Sequence, residues 1–288
     1  MKKHILFVLL FVWVSIAVKA QQADVAVAAV HYTFLYVADT TDPSDITTDD
    51  MVLYIGKRSS VFKSYDRILR DSALQSQVMM AKMAMESGGP VRIGVPAGMR
   101  PGSTTSYYKG LAEGKLQQVE NFIKNYVIEE KIPEINWNIL SETKTIEGLS
   151  CQKATSFFRG RNYTVWFCSQ LPYNNGPWKL GGLPGLIVEA SDDKKEVVFR
   201  FGGYEELNSA KQVQIALPAN SINATAKEYA QLREAARKDP QGFLNSSMGG
   251  SGLAAANVSS LKITKELNMN SDTIKRKQMN NPIEKSDN

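Results

Sequence analysis

The stretch "CQKATSFFRGRNYTVWFC", residues 151–168, contains its own pairing register. Two runs rich in aromatic and hydroxyl side chains flank Arg159-Gly160, and a two-residue turn there sets Phe158 opposite Arg161. Counted outward residue by residue, Cys151 then falls directly opposite Cys168. If Phe158 and Arg161 form a hydrogen-bonded pair, the alternation of the ladder puts the cysteines at a non-hydrogen-bonded position. Cα atoms there lie about 4.5 Å apart, at the short end of what a disulfide spans. Arg-Gly is a weaker turn signal than Asn-Gly, and a longer loop taking in Asn162 would shift the register. These are the chain's 2 cysteines, so one disulfide is the economical reading. The alternative, a redox or metal-binding pair, lacks a Cys-x-x-Cys spacing or a ligand-spaced histidine.

The chain continues in the same idiom. Leu186, Val188 and Ala190 alternate with Ile187, Glu189 and Ser191, "DDKK" turns, and Val197, Phe199 and Phe201 alternate with Glu196, Val198 and Arg200. A four-residue turn at 192–195 predicts Val188 opposite Phe199 and Ala190 opposite Val197, with Glu189 diagonal to Arg200 and in reach of an ion pair. Ahead of this hairpin stands "GPWKLGGLPGLIVEASD", residues 176–192. Pro184 suits a strand start or a bulge, Gly181, Gly182 and Gly185 permit positive φ or close backbone approach, and Trp178 is placed as an anchor under the corner. Gly176, Pro177, Trp178 and the run Gly182, Leu183, Pro184, Gly185, Leu186, Ile187 therefore read as a structural corner or as a binding loop. The absence of a titratable pair from the pattern favours the corner.

Gly182-Leu183-Pro184-Gly185-Leu186-Ile187 spells the signature of the GLPGLI family, exported Bacteroidetes proteins of largely unassigned function. "CQKATSFFRGRNYTVWF", "LPYNNGPWKLGGLPGLIVEASD" and the terminal "NNPIE" also resemble that family, from about Tyr32 through Phe201 and again at the tail. The resemblance implies a periplasmic or outer-envelope location and company with TonB-dependent transport systems. It implies no catalytic residues.

The N-terminus agrees with export. Lys2-Lys3, an apolar segment from Ile5 to Val18, and Val18-Lys19-Ala20 before Gln21 have the order of a signal peptide, residues 1–20, cleaved near Ala20. The apolar core is too short for a stable span, so no transmembrane segment is expected in the mature chain. Loss of Lys2, Lys3 and Lys19 takes the formal net charge from +5 to +5 − 3 = +2. That near-balance argues against nucleic acid as a partner.

Elsewhere "VAVAAVHYTFLYVAD", "MVLYIGKRSSVFKSY", "KLQQVENFIKNYVIEE" and "INWNILSETKTI" read as strands. "DRILRDSALQSQVMMAKMAMES", near 66–87, reads as an inserted helix, and "NATAKEYAQLREAARKD" as a C-terminal one, capped by Asn223 or Thr225 and stopped at Pro240. Residues 245–288 read as a flexible, low-complexity and polar tail. The expected fold is mainly β (α+β): a single domain over 21–244, an antiparallel meander forming a curved or partly closed sheet with those two helices.

Chemical motifs are few. Beyond the signal only His31 remains among histidines, and the metalloprotease, nucleophile-elbow and phosphate-loop patterns are absent from the sequence. "DTTDPSDITTDD" lacks the glycine and terminal glutamate of an EF-hand. Met79, Met80, Met83 and Met85 crowd one helix, where core packing or partner contact is the reading preferred over Cu(I) binding. The functional expectation is a non-enzymatic envelope protein without cofactor, a binding or accessory module that meets an outer-membrane transporter or an apolar small ligand. The alternatives are an envelope enzyme with carboxylates dispersed in sequence, or a copper-handling protein using the Met79–Met85 helix.

Overall fold

The structure is a computed structural model and describes residues 23–87, 94, 96–208, 210–240, 242–243 and 280–285. The expected signal peptide, and the expected tail up to 279, lie outside these residues. In chain order the elements are β1 (Asp24–Val37), β2 (Ile46–Gly56), β3 (Ser59–Ser64), α1 (Tyr65–Glu86), β4 (Thr105–Gly110), β5 (Lys115–Asn121), β6 (Asn125–Lys131) and β7 (Asn138–Ile146). They continue with β8 (Leu149–Phe158), β9 (Arg161–Cys168), β10 (Leu186–Asp192), β11 (Val197–Glu206), β12 (Gln214–Ile215), β13 (Ile222–Asn223) and α2 (Ala226–Lys238).

All 13 strands form one sheet in the order β13-β6-β5-β4-β3-β2-β1-β11-β10-β9-β8-β7, with β12 paired to β1. Two meanders thus share β1 as their common strand. Pairing is antiparallel throughout except where β13 lies parallel to β6. The fold is mainly β and the sheet is not closed into a barrel. It is nonetheless strongly curled. The β8–β9 turn and β6 stand eight steps apart in strand order, which in a flat sheet is about 38 Å at about 4.8 Å per step. Yet Arg159 Nη2 in that turn lies 2.7 Å from Glu130 Oε2 on β6.

The 151–168 register is the one read from sequence: Phe158 pairs with Arg161 and Gln152 with Phe167. Arg159 (φ 50°) and Gly160 (φ 71°) both adopt positive φ, the conformation of a type I′ turn whose twist suits a hairpin. Cys151 and Cys168 form a disulfide with Cα atoms 4.3 Å apart, close to the spacing of a non-hydrogen-bonded pair. Both cysteines are buried.

The β10–β11 hairpin is shifted from its expected register. Ala190 pairs with Phe199 and Ser191 with Val198, in place of Val188 with Phe199 and Ala190 with Val197. Two local demands account for the shift. Asp192 stays in the strand because its carboxylate accepts the Val197 N–H at 3.0 Å and binds the buried Arg161 guanidinium at 2.6 Å. A bulge at Val188 then leaves the first residues of β10 to other partners: Ile187 N–H donates to the Asn175 carbonyl at 2.9 Å, and the Ile187 carbonyl accepts the Tyr32 hydroxyl at 2.8 Å. The expected Glu189–Arg200 pair is replaced by Glu189 with Lys144, 2.6 Å apart.

"KLQQVENFIKNYVIEE" divides into β5 and β6, and β4, which the sequence reading passes over, is built on Tyr107 and Tyr108. Helix α1 begins at an N-cap Ser64 that accepts from Arg67 N–H and donates to Asp49. Helix α2 begins with a reciprocal capping box between Thr225 and Glu228, which selects Thr225 over Asn223 as the cap. No helix among the described residues is long and apolar enough to cross a membrane.

Candidate functional site

The apolar face of the curled sheet is filled by the chain itself. The segment between β9 and β10, residues 169–185, turns inward, and Trp178, Leu180 and Leu183 are buried in the same cluster as Phe62, Phe199 and Leu53 from the sheet. Trp178 is 1 % exposed and packs against Phe158 and Tyr163 with ring centroids 5.7 and 6.1 Å away. Gly176, Pro177, Gly185, Leu186 and Ile187 are buried as well, so that of the motif only Gly182 and Pro184 reach the surface. The residues singled out as corner or binding loop thus serve as the filling of the core.

A loop in a core brings main-chain groups that have no ladder partner, and each must find one. Lys109, on β4 and 4 % exposed, supplies three hydrogen bonds: to Asn175 Oδ1 at 2.9 Å, the Gly176 carbonyl at 3.2 Å and the Leu180 carbonyl at 2.6 Å. Asn175 Nδ2 donates to Ser60 Oγ at 2.8 Å, and Trp137 Nε1 donates to the Gly181 carbonyl at 2.8 Å. Burial pulls the Lys109 pKa down from its ordinary 10.5 to about 7, while the three oxygens favour keeping the proton on.

The glycines answer to geometry. A side chain at Gly185 (φ 151°) would place Cβ 2.5 Å from the Cys168 carbonyl oxygen, whereas at Gly182 (φ 86°) the nearest atom is 4.0 Å away.

The open site lies at the other end of the same structure, along β6. β13 pairs with β6 only at Tyr126 and Val127, after which Ala224 N–H donates to the Val127 carbonyl and the chain leaves into α2. Beyond that point a cleft of about 960 Å³ opens between Val127–Glu130, the first turns of α2 with Tyr229 and Arg233, and a wall formed by Arg159, Lys179 and Glu284. The wall is an alternating ring of charge drawn from four elements. Glu130 of β6 pairs with Arg159 of the β8–β9 turn at 2.7 Å and with Lys179 of the core loop; Lys179 pairs with Glu284 at 2.5 Å, and Glu284 closes the ring on Arg159 at 3.7 Å. Each carboxylate has a cation beside it, which fixes positions and differs from the unpaired, desolvated setting that general-acid carboxylates use.

Glu284 belongs to residues 280–285, which the sequence reading assigns to a flexible tail but which run as a strap across β1 and the β8–β9 turn. Asn281 is 1 % exposed; its N–H donates to the Ala38 carbonyl, its Nδ2 to the Val37 carbonyl, and its own carbonyl accepts the Tyr36 hydroxyl. Arg161, equally buried, donates to Asn281 Oδ1, the Pro282 and Ile283 carbonyls, Asp192 and Glu196. Burial works against the Arg161 charge, but Glu196 and Asp192 outweigh it and hold its pKa above the ordinary value.

Met79, Met80, Met83 and Met85 lie on α1 and are 68, 67, 62 and 69 % exposed. Of the two roles expected for them, core packing or partner contact, their exposure removes core packing; a buried methionine is Met51 on β2. Among the described residues no group of three or more His, Cys, Asp or Glu side chains could hold a metal ion.

A model of a family described as "Protein of unknown function (Porph_ging)" matches residues 159–189, which span β9, the core loop and the start of β10. No curated protein matches the chain. Solved structures of PNGF-II in two crystal forms are similar in backbone course: one at 13 % identity and TM-score 0.46 covers 73 % of this chain and 33 % of that one, and the other at 12 % and 0.45 covers 71 % and 32 %. The chain spans about a third of the length of the solved structures it matches.

Two outcomes follow for the core loop. Gly185→Ala should lower the unfolding free energy by more than about 3 kcal/mol, because backbone must move as well as φ, whereas Gly182→Ala should cost about 1–2 kcal/mol from conformation alone. Denaturant titration of both variants separates them, and equal losses would mean that the loop is not packed against Cys168. For Lys109 the sign follows from the lowered pKa. Well below pH 7 folded and unfolded chains both carry the proton and the burial cost is complete; above pH 7 only the unfolded lysine keeps it. Between about pH 7.5 and 9.5 the native protein should gain up to about 1.4 kcal/mol per pH unit relative to Lys109→Met. Parallel profiles for the two proteins would contradict this.

Proposed function

We propose that the chain is a non-enzymatic, exported envelope protein of the GLPGLI kind, and that it is a docking module for an extended segment of an outer-membrane transport partner, bound at the free edge of β6. The observation that carries the reading is the half-covered strand. Ala224 pairs with Val127, so the alternation of the ladder turns the main-chain groups of Glu129 and Lys131 toward the outer edge. β13 stops short of them, and the cleft runs alongside. An extended peptide continuing the line of β13 would add main-chain hydrogen bonds there, with Tyr229 and Arg233 of α2 as its side-chain wall. Exposed strand edges are ordinarily covered, short or blunted, so an edge left open beside a cleft is a feature to be explained. The disulfide supports an oxidising compartment, and the signal-like N-terminus and the GLPGLI motif support export and transporter company.

Replacing Glu129 with proline removes the outward N–H and leaves the main-chain ladder to β5 in place; it also removes the exposed side-chain contacts of Glu129 with Lys115 and Gln117 on β5, which a Glu129→Ala variant controls for. A photo-crosslinking side chain at Asn223 should therefore capture an outer-membrane transporter in cells, and the Glu129→Pro change in the same chain should reduce that product at least tenfold while leaving the unfolding temperature within about 2 °C. Undiminished capture by the Glu129→Pro variant, or products with unrelated proteins alone, would refute the proposal.

A further inference from the structure

We propose that α1 carries a Cu(I) site formed by the thioethers of Met79, Met80 and Met83. At about 100° per residue Met83 lies about 40° and Met80 about 100° around the helix from Met79, so the three share one arc. Met83 stands at i+4 from Met79 and i+3 from Met80, spacings that set it about 5–6 Å from each at Cβ, and each side chain has enough rotatable bonds to bring its sulfur toward an ion held at Met83. Ala81, the one buried residue of the helix, falls about 150° from the middle of that arc, so the sulfurs face away from the buried side of the helix. Met85 lies outside the arc.

The surroundings select the ion. The same arc holds Tyr65, Leu69, Ser72 and Ser76; the carboxylate of Glu86 lies about 20° outside it, one turn beyond Met83, and soft thioethers prefer Cu(I). Apolar packing leaves the pattern unexplained. Each side chain of this size forgoes about 1.5–3 kcal/mol by standing in water, and three of them, each more than 60 % exposed, are collected within five residues. The helix is well anchored without them: Ser64 caps it against Asp49, and Arg100 pairs with Asp66 at 2.9 Å. The methionine arc is therefore free to take a ligand without disturbing the fold, and the site is independent of the β6 edge.

The test uses the full mature chain, oxygen-free, titrated with Cu(I) against a chromogenic Cu(I) chelator, with methionine methyl resonances followed in parallel. One ion should bind, moving the methyl signals of Met79, Met80 and Met83 and leaving that of Met51 in place. A Met79→Leu/Met83→Leu double variant should bind at least tenfold more weakly with an unchanged unfolding temperature, and Met85→Leu should bind as the native protein does. No uptake of Cu(I), or equal uptake by the double variant, would overturn the assignment.

Discussion

A curled sheet needs something inside it, and here the filling is a main chain without a ladder. Residues 169–185 occupy the concave face, so their carbonyls must be satisfied where no strand can do it. Lys109 meets two of those demands from β4, at the Gly176 and Leu180 carbonyls, and also holds the Asn175 side chain, which relays to Ser60 on β3. A buried ammonium is costly on its own. Here its desolvation is set against three oxygens at 2.6–3.2 Å, and the loop cannot leave without stranding all of them. The packing of Trp178 and the Ile187 to Asn175 hydrogen bond that draws the start of β10 away from β11 go with the seating of this loop.

The second layer of organisation is electrostatic and connects what the backbone leaves apart. Arg161 binds the strap, Asp192 and Glu196 in one guanidinium, so that β9, the β10–β11 turn and the far end of the chain are fixed together. The ring of Glu130, Lys179, Glu284 and Arg159 then joins β6 to the core loop, the strap and the β8–β9 turn. Removing one member of a buried pair strands the other. The sheet therefore remains curled without closing, and the open side of β6 becomes a defined cleft instead of a seam sealed by hydrogen bonds.

Local pattern was legible where the partners are near in sequence. The 151–168 hairpin carries its register in its length and turn, and the capping box of α2 is a four-residue signal. The β10–β11 register was misread because the deciding contacts, Arg161 to Asp192 and Tyr32 to Ile187, come from 31 and 155 residues away. The sequence reading assigns no role to Lys179 or Glu284 for the same reason. "NNPIE" was recognisable as part of a family pattern, but that Asn281 fills a buried socket between Val37 and Arg161 depends on a contact across 244 residues. The glycine-proline run reads in sequence as a corner or a binding loop; its inward direction depends on the whole sheet being in place.

The 169–185 segment is core and not a surface loop, and on this the rest of the structure depends. Native-state hydrogen exchange tests it at single residues, because Leu180, Leu186 and Ile187 N–H groups are bound to the Pro177, Leu171 and Asn175 carbonyls. Their exchange should require global unfolding, with the same free energy and denaturant dependence as Val165 and Phe167 in β9. Exchange of the loop amides by local opening, at a free energy well below that of β9, would contradict the account.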